Sequence, residues 1–248
     1  MLKNDTFEYI EKGKGPTLLL LHGLFGELSN FDGIINHFSK NYRILVPSLP
    51  ILDSELKDTH LDFLTDYVAQ FITYKSLDKL TLVGNSLGGH IALIYTLSHP
   101  QKIDKLILTG SSGLFEQAMG DTFPRKSDYD FVKIKTAETF YDPAVATKRL
   151  VDHIFEIVND RGKLLRIIRM ARSTINRNLR NDLSSIQQPT LLIWGKNDTI
   201  TPAFVGEDFD KLLPNSNLYL IDQCGHAPMM EHPKIFNQLM EDFLKSFA

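Results

Sequence analysis

Short apolar runs bounded by turn-forming residues recur along the first half of the chain, at 17–22, 42–46, 80–84 and 105–109. Most positions in them are apolar or β-branched, which predicts strands buried on both faces. Between the runs the period changes. Leu61, Leu64, Val68, Phe71 and Ile72 fall at helical spacing, and 87–97 reads as an apolar helix stopped at His99-Pro100. Strand and helix alternate, which predicts an α/β fold with a mostly parallel sheet flanked by helices.

The alternation stops after Gly110. Residues 112–188 show helical periods and no convincing strand, with helices expected at 128–140, 143–158 and 160–173; Pro143 suits a first turn and Gly162 weakens the third helix. Strands resume at 190–194 and 217–221, with helices at 202–213 and 233–247. The expectation is one structural domain, a core of 1–111 and 189–248 interrupted by a helical insert at 112–188. A chain of 248 residues can bury a single core of that size.

Composition adds exclusions. With 43% hydrophobic and 23% charged residues the chain reads as a soluble globular protein. No apolar run approaches the roughly 18–20 residues of a membrane span. The first twenty residues show no apolar stretch followed by a small-residue cleavage site, so no secretory signal is expected and the cytoplasm is the expected location. A lone cysteine, Cys224, fits a reducing compartment. Net charge is −3, which argues against general polyanion binding, yet 112–188 holds thirteen Lys and Arg against ten Asp and Glu. Seven of those cations fall in 160–180, where Arg166, Arg169 and Arg172 recur every third residue. Two readings stand: a solvated helix face, or attraction of anions. Without interleaved aromatics or a nucleic-acid motif, nucleic acid is not an expected partner.

Candidate chemistry sits at Gly84-Asn85-Ser86-Leu87-Gly88, between an expected strand and an expected helix. A short pattern is weak alone, but a strand before and a helix after make Ser86 a nucleophile on a tight turn, its hydroxyl at the positive end of a helix. The competing readings are a flexible loop and a phosphate cradle; the latter lacks both Gly-Lys-Ser/Thr and Gly-x-Gly-x-x-Gly.

A serine hydroxyl needs a base, and a histidine oriented by a carboxylate supplies one. Asp198 and His226 each fall just past an expected late strand, in the order Ser, Asp, His. Asp222 is the rival acid, at the end of its own strand and four residues before the base. Backbone N–H groups of Leu24, in the loop His22-Gly23-Leu24-Phe25-Gly26, and of Leu87 are the expected oxyanion donors. No His, Cys, Asp or Glu grouping has metal-ligand spacing, and neither metal nor cofactor is expected.

Together, His22-Gly23, the turn at Ser86, Trp194-Gly195-Lys196-Asn197-Asp198 and Cys224-Gly225-His226 resemble the α/β-hydrolase superfamily along the whole chain. The resemblance implies that 112–188 forms a helical cap after the sixth strand, above the active site. Gly-Asn-Ser-Leu-Gly-Gly with Cys-Gly-His further resembles the carbon–carbon bond hydrolases of ring-opened aromatic products. Those proteins carry a Gly-rich loop and an aromatic residue where Leu24-Phe25 and Ala227 stand, and a cap arginine for the substrate carboxylate, for which Arg149 is nearby in sequence. Pro47-Ser48-Leu49-Pro50 replaces the Asp-x-x-Gly of many relatives. Three functions therefore remain open for a small-molecule ligand: hydrolysis of a carboxylic ester with a small or medium acyl group, carbon–carbon bond hydrolysis of a vinylogous diketone acid, and non-catalytic ligand reception.

Overall fold

The computed structural model describes residues 7–53, 59–115 and 127–246. One seven-stranded sheet organises the chain: β1 (Tyr9–Lys12), β2 (Thr17–Leu21), β3 (Arg43–Pro47), β4 (Leu80–Asn85), β5 (Ile103–Thr109), β6 (Thr190–Gly195) and β7 (Ser216–Ile221). Their spatial order is β1-β3-β2-β4-β5-β6-β7. β1 runs antiparallel to β3, and every other pairing is parallel.

Six strands lie within two residues of the positions expected from the apolar runs. β1 is an addition. It is a four-residue edge strand, Tyr-Ile-Glu-Lys, too short and too charged to register as a buried run. Its Glu11 pairs with Arg43 at 2.8 Å and Lys75 at 2.6 Å, so charge covers the open edge.

Helices cover both faces, which is why the central strands are apolar throughout. The helices are α1 (Asp32–Phe38), α2 (Leu61–Tyr74), α3 (Leu87–Ser98), α4 (Tyr129–Ala137), α5 (Lys148–Asn159), α6 (Arg161–Asn176), α7 (Ala203–Leu212), α8 (Pro228–Glu231) and α9 (Pro233–Ser246). Leu19, Leu45, Leu82, Leu106 and Leu192 point to the face packed by α2, α3 and α7. Leu18, Ile44, Val83, Ile107 and Leu191 point to the face packed by α1 and α9. The register sets Leu19 beside Leu45 and Leu82, and Leu82 beside Leu106, so residues of like facing line up across the sheet.

α4, α5 and α6 stand between β5 and β6, within the stretch read as an insert; residues 116–126 of that stretch lie outside the described residues. Among the described residues the insert follows the fifth strand of the sheet, not the sixth as the resemblance implies, since seven strands are present there. The helix expected over 143–158 is divided: Pro143–Val145 is a single 3₁₀ turn, and α5 starts only after Thr147, whose side chain accepts the Leu150 N–H at 3.3 Å. Asp160 closes α5 and caps α6 by accepting the Lys163 N–H at 2.9 Å. No helix among the described residues is long and apolar enough to cross a membrane.

Candidate active site

β4 ends at Asn85 and α3 begins at Leu87, leaving Ser86 to make the whole turn. Its φ of 55° and ψ of −119° are strained for a residue with a side chain. The conformation is held from several sides. Ser86 N–H donates to Thr109 O on β5 at 3.1 Å, and Ser86 O accepts from the Gly89, His90 and Ser112 N–H groups at 3.0–3.2 Å. Two flanking glycines allow the close approach: a Cβ on Gly88 would collide with the Leu21 carbonyl, and one on Gly84 would lie 2.5 Å from Gly89 Cα. Ser86 stays half-buried while its neighbours from Thr81 to Tyr95 are buried.

Asp198 lies in the turn after β6, and its carboxylate is saturated by donors. Oδ1 accepts from the Ile200 and Thr201 N–H groups at 2.8 and 2.9 Å; Oδ2 accepts from Thr201 Oγ1 and meets His226 Nδ1, each at 2.9 Å. With Asp198 only 5% exposed, the carboxylate has one orientation and one imidazole to serve. The proton of the His226 ring is thereby placed on Nδ1, leaving Nε2 as an acceptor. Asp222, the rival acid, has a side chain 76% exposed and faces Lys196 at 3.8 Å.

The His226 loop is fixed on three sides. Its N–H donates to Thr139 O at 2.9 Å, its carbonyl accepts from Asn85 Nδ2 at 3.3 Å, and the ring packs on Gly110, where a Cβ would come within 2.9 Å of Nδ1. Asn85 also donates to Thr109 O at 3.1 Å, so the residue before Ser86 ties the serine turn to the histidine loop. Sequence reasoning gave Asn85 no role. Nor did it single out Thr201, although a hydroxyl three residues after an aspartate is a local capping spacing. Glu231 had no sequence signal at all: it accepts the Gly225 N–H at 2.8 Å and the Tyr141 N–H at 2.7 Å.

Leu87 follows Ser86 directly, and Leu24 follows Gly23, which packs against the serine turn. Leu87 is the first residue of α3, where N–H groups have no partner within the helix. Leu24 N–H makes no hydrogen bond among the described residues, and its neighbour Gly23 packs so near the turn that a Cβ there would lie 3.2 Å from Ser86 Cβ. The loop is braced by His22. Its Nδ1 lies 2.9 Å from Gly23 O and its Nε2 accepts the Leu49 N–H at 3.1 Å, which makes Nδ1 the protonated nitrogen. Burial pushes the His22 pKa below the ordinary range, partly offset by the Gly23 carbonyl. The unusual 47–50 segment thus serves as a backbone donor to the loop that carries Leu24.

Arg149 does not stand free to meet a substrate carboxylate. Its side chain is 70% exposed and engages Glu27 at 3.0 Å and Ser29 Oγ at 2.6 Å, with His153 3.4 Å from the same carboxylate.

Comparison with known proteins agrees with this arrangement of elements. The family model for the alpha/beta hydrolase fold matches residues 16–151 and 156–233. MGS-MChE2, an alpha/beta hydrolase enzyme from the metagenome of sediments of the lagoon of Mar Chica, Morocco, is 41% identical; it superposes with a TM-score of 0.80 over 99% of this chain and 97% of that one. The pimeloyl-acyl-carrier-protein methyl ester esterase of Nitrosomonas europaea is 28% identical over 246 residues, covering 90% of this chain and 94% of its own. A 2-hydroxy-6-oxononadienedioate/2-hydroxy-6-oxononatrienedioate hydrolase of Paraburkholderia phymatum is 28% identical over 258 residues, covering 95% and 90%.

Proposed function

The chain belongs to the α/β hydrolase fold family, and on that premise we propose that it is a serine hydrolase cleaving a carboxylic ester of a small or medium acyl group through an acyl-enzyme. The observation that carries this reading is the pair Asp198–His226 at 2.9 Å, joined through Asn85 to a serine held at positive φ. In the proposed reaction Ser86 Oγ attacks the ester carbonyl carbon as His226 Nε2 takes its proton. The tetrahedral oxyanion is stabilised by the Leu24 and Leu87 N–H groups, each worth roughly 10²- to 10³-fold in rate. Collapse breaks the ester C–O bond, and the alkoxide leaves with the proton from His226. Water, deprotonated by His226, then attacks the acyl-enzyme, releasing the acid and restoring Ser86. No cofactor takes part. We assign residues 112–188 as a cap over this site, supported by the contacts of the Thr139–Tyr141 turn with the His226 loop.

The relative from Nitrosomonas europaea is a methyl ester esterase by name, which favours an ester. The relative from Paraburkholderia phymatum favours a second reading, carbon–carbon bond hydrolysis on the same residues. Against it stand Ala227, where an aromatic residue is expected, and the engagement of Arg149 with Glu27. Rapid mixing with p-nitrophenyl esters of increasing chain length tests the proposal. A burst of phenolate that depends on Ser86 and vanishes in Ser86→Ala is the expected result. Hydrolysis undiminished in Ser86→Ala would remove the serine mechanism, and turnover of a ring-opened dienoic acid without any ester turnover would replace the first reading by the second.

A further inference from the structure

A concavity of about 440 Å³ opens between the start of α2 and the face of α6, and none of Leu24, Ser86, Asp198 or His226 lines it. Arg169, Arg172 and Arg177 do. None of these three guanidinium groups has a carboxylate partner among the described residues, whereas Arg180, just beyond them, is paired with Asp208 at 2.8 Å. Asp62 is the single acid on the wall. Gathering three unpaired cations round one hollow costs mutual repulsion, which an anion in the hollow would relieve.

Two further features point the same way. Thr59, also on the wall, is 1% exposed, and its buried hydroxyl has no hydrogen-bond partner among the described residues. A buried hydroxyl left without a partner is destabilising unless a ligand completes the bond. The fourteen-residue α2 begins at this wall, with its positive dipole end directed there. Two of its first three amides are already occupied, Leu61 N–H by Ser173 Oγ at 3.0 Å and Phe63 N–H by His60 Nδ1 at 3.3 Å, so the helix contributes chiefly its field.

We propose that this cavity is a binding site for a soluble phosphate ester or diphosphate, its oxygens gripped by Arg169, Arg172 and Arg177 and receiving the Thr59 hydroxyl proton. Guanidinium forks match phosphate oxygens in pairs, and a dianion answers three cations better than a carboxylate does. The volume is in the range of pockets for small organic molecules, so an ester or diphosphate suits it better than a bare phosphate ion. The site also accounts for part of the basic stretch at 160–180 independently of the hydrolytic chemistry, since none of Leu24, Ser86, Leu87, Asp198 or His226 lines it.

Isothermal titration of the whole chain with pyrophosphate and with glycerol 3-phosphate tests the proposal at about 0.15 M NaCl, where exposed charges are screened beyond about 8 Å. A dissociation constant of about 1 mM or tighter is expected for at least one probe, weakened about tenfold or more in Arg169→Gln and Arg172→Gln and unchanged in Arg180→Gln. Should either variant fail to fold, Thr59→Val carries the test: it removes an orphan hydroxyl, so it should keep or raise the stability of the unliganded protein while weakening binding. The proposal is overturned if neither probe binds, if the cavity variants bind like the unaltered protein, or if Arg180→Gln weakens binding equally. Capture by phosphatidate vesicles with no binding of either soluble probe also overturns it.

Discussion

Glu231 Oε1 accepts the N–H of Gly225 at 2.8 Å, one residue before His226, while Oε2 accepts the N–H of Tyr141 at 2.7 Å. One carboxylate on α8 thus joins the histidine loop to the turn after α4. It touches neither Ser86 nor Asp198, so in the proposed mechanism its part is to position His226.

Replacing Glu231 by Ala should free two backbone donors and let the His226 loop shift. Two bonds to a charged acceptor are lost, for a destabilisation of about 2–3 kcal/mol by chemical denaturation. Loss of position should show as a fall in kcat of roughly 10- to 100-fold with KM little changed. Glu231→Gln keeps an oxygen acceptor and should recover part of the rate. A kcat unaltered in Glu231→Ala would reduce the contact to a purely structural one.

Asp198→Asn tests the orientation of the base. An amide in place of Oδ2 can donate to His226 Nδ1 and so favours the tautomer with its proton on Nε2, facing the serine. The expected loss in kcat is roughly 10⁴-fold, with the fold intact by circular dichroism. Because Asp198 also receives the Ile200 and Thr201 N–H groups, Thr201→Val serves as the control. It removes one hydroxyl from Oδ2 and should cost far less.

The parts of this architecture legible in the sequence are those whose signal is local. Leu18 to Leu21 are apolar in succession because both sheet faces are covered, and Gly84 and Gly88 flank Ser86 because helix and strand come too close there for side chains. Asp198 and His226 could be picked out by their place after strands. What was not legible depends on contacts distant in sequence. Asn85 reaches the carbonyl of a residue 141 positions away, and Glu231 reaches Tyr141 across 90 positions. Neither residue type announces such a partner. β1 was missed because an edge strand buries little, and Arg149 was read from its neighbourhood in sequence when Glu27 decides where it goes.

Arg149→Ala separates the two hydrolytic readings. With the guanidinium engaged by Glu27 and Ser29 at the surface, its removal should leave KM for uncharged esters within about twofold and cost no more than about 1 kcal/mol of stability, the usual scale for an exposed pair. A KM for a dienoic acid substrate that rises tenfold or more in this variant would show the arginine reaching the substrate after all, and would favour carbon–carbon hydrolysis.

His90 sets a stability profile against pH. It is fully buried on α3, and among the described residues neither ring nitrogen makes a full hydrogen bond, although the nearby Arg177 main chain partly offsets the effect of burial. Burial is the main cause that lowers its pKa to about 4, against an ordinary 6.5. The unfolded chain therefore takes up a proton below pH 6.5 that the folded chain refuses until about pH 4, so stability is full above 6.5 and declines as pH falls through that window. The contribution of this one group is on the order of 3 kcal/mol. His22, also lowered by burial, adds to the same trend. His90→Leu fills a similar volume without the orphan nitrogens and should match or exceed the parent at pH 8. In urea titrations between pH 7 and 4 the variant should lose visibly less stability than the parent. Parallel curves would mean that His90 is protonated within the fold, with a partner for its charge that the buried site does not otherwise provide.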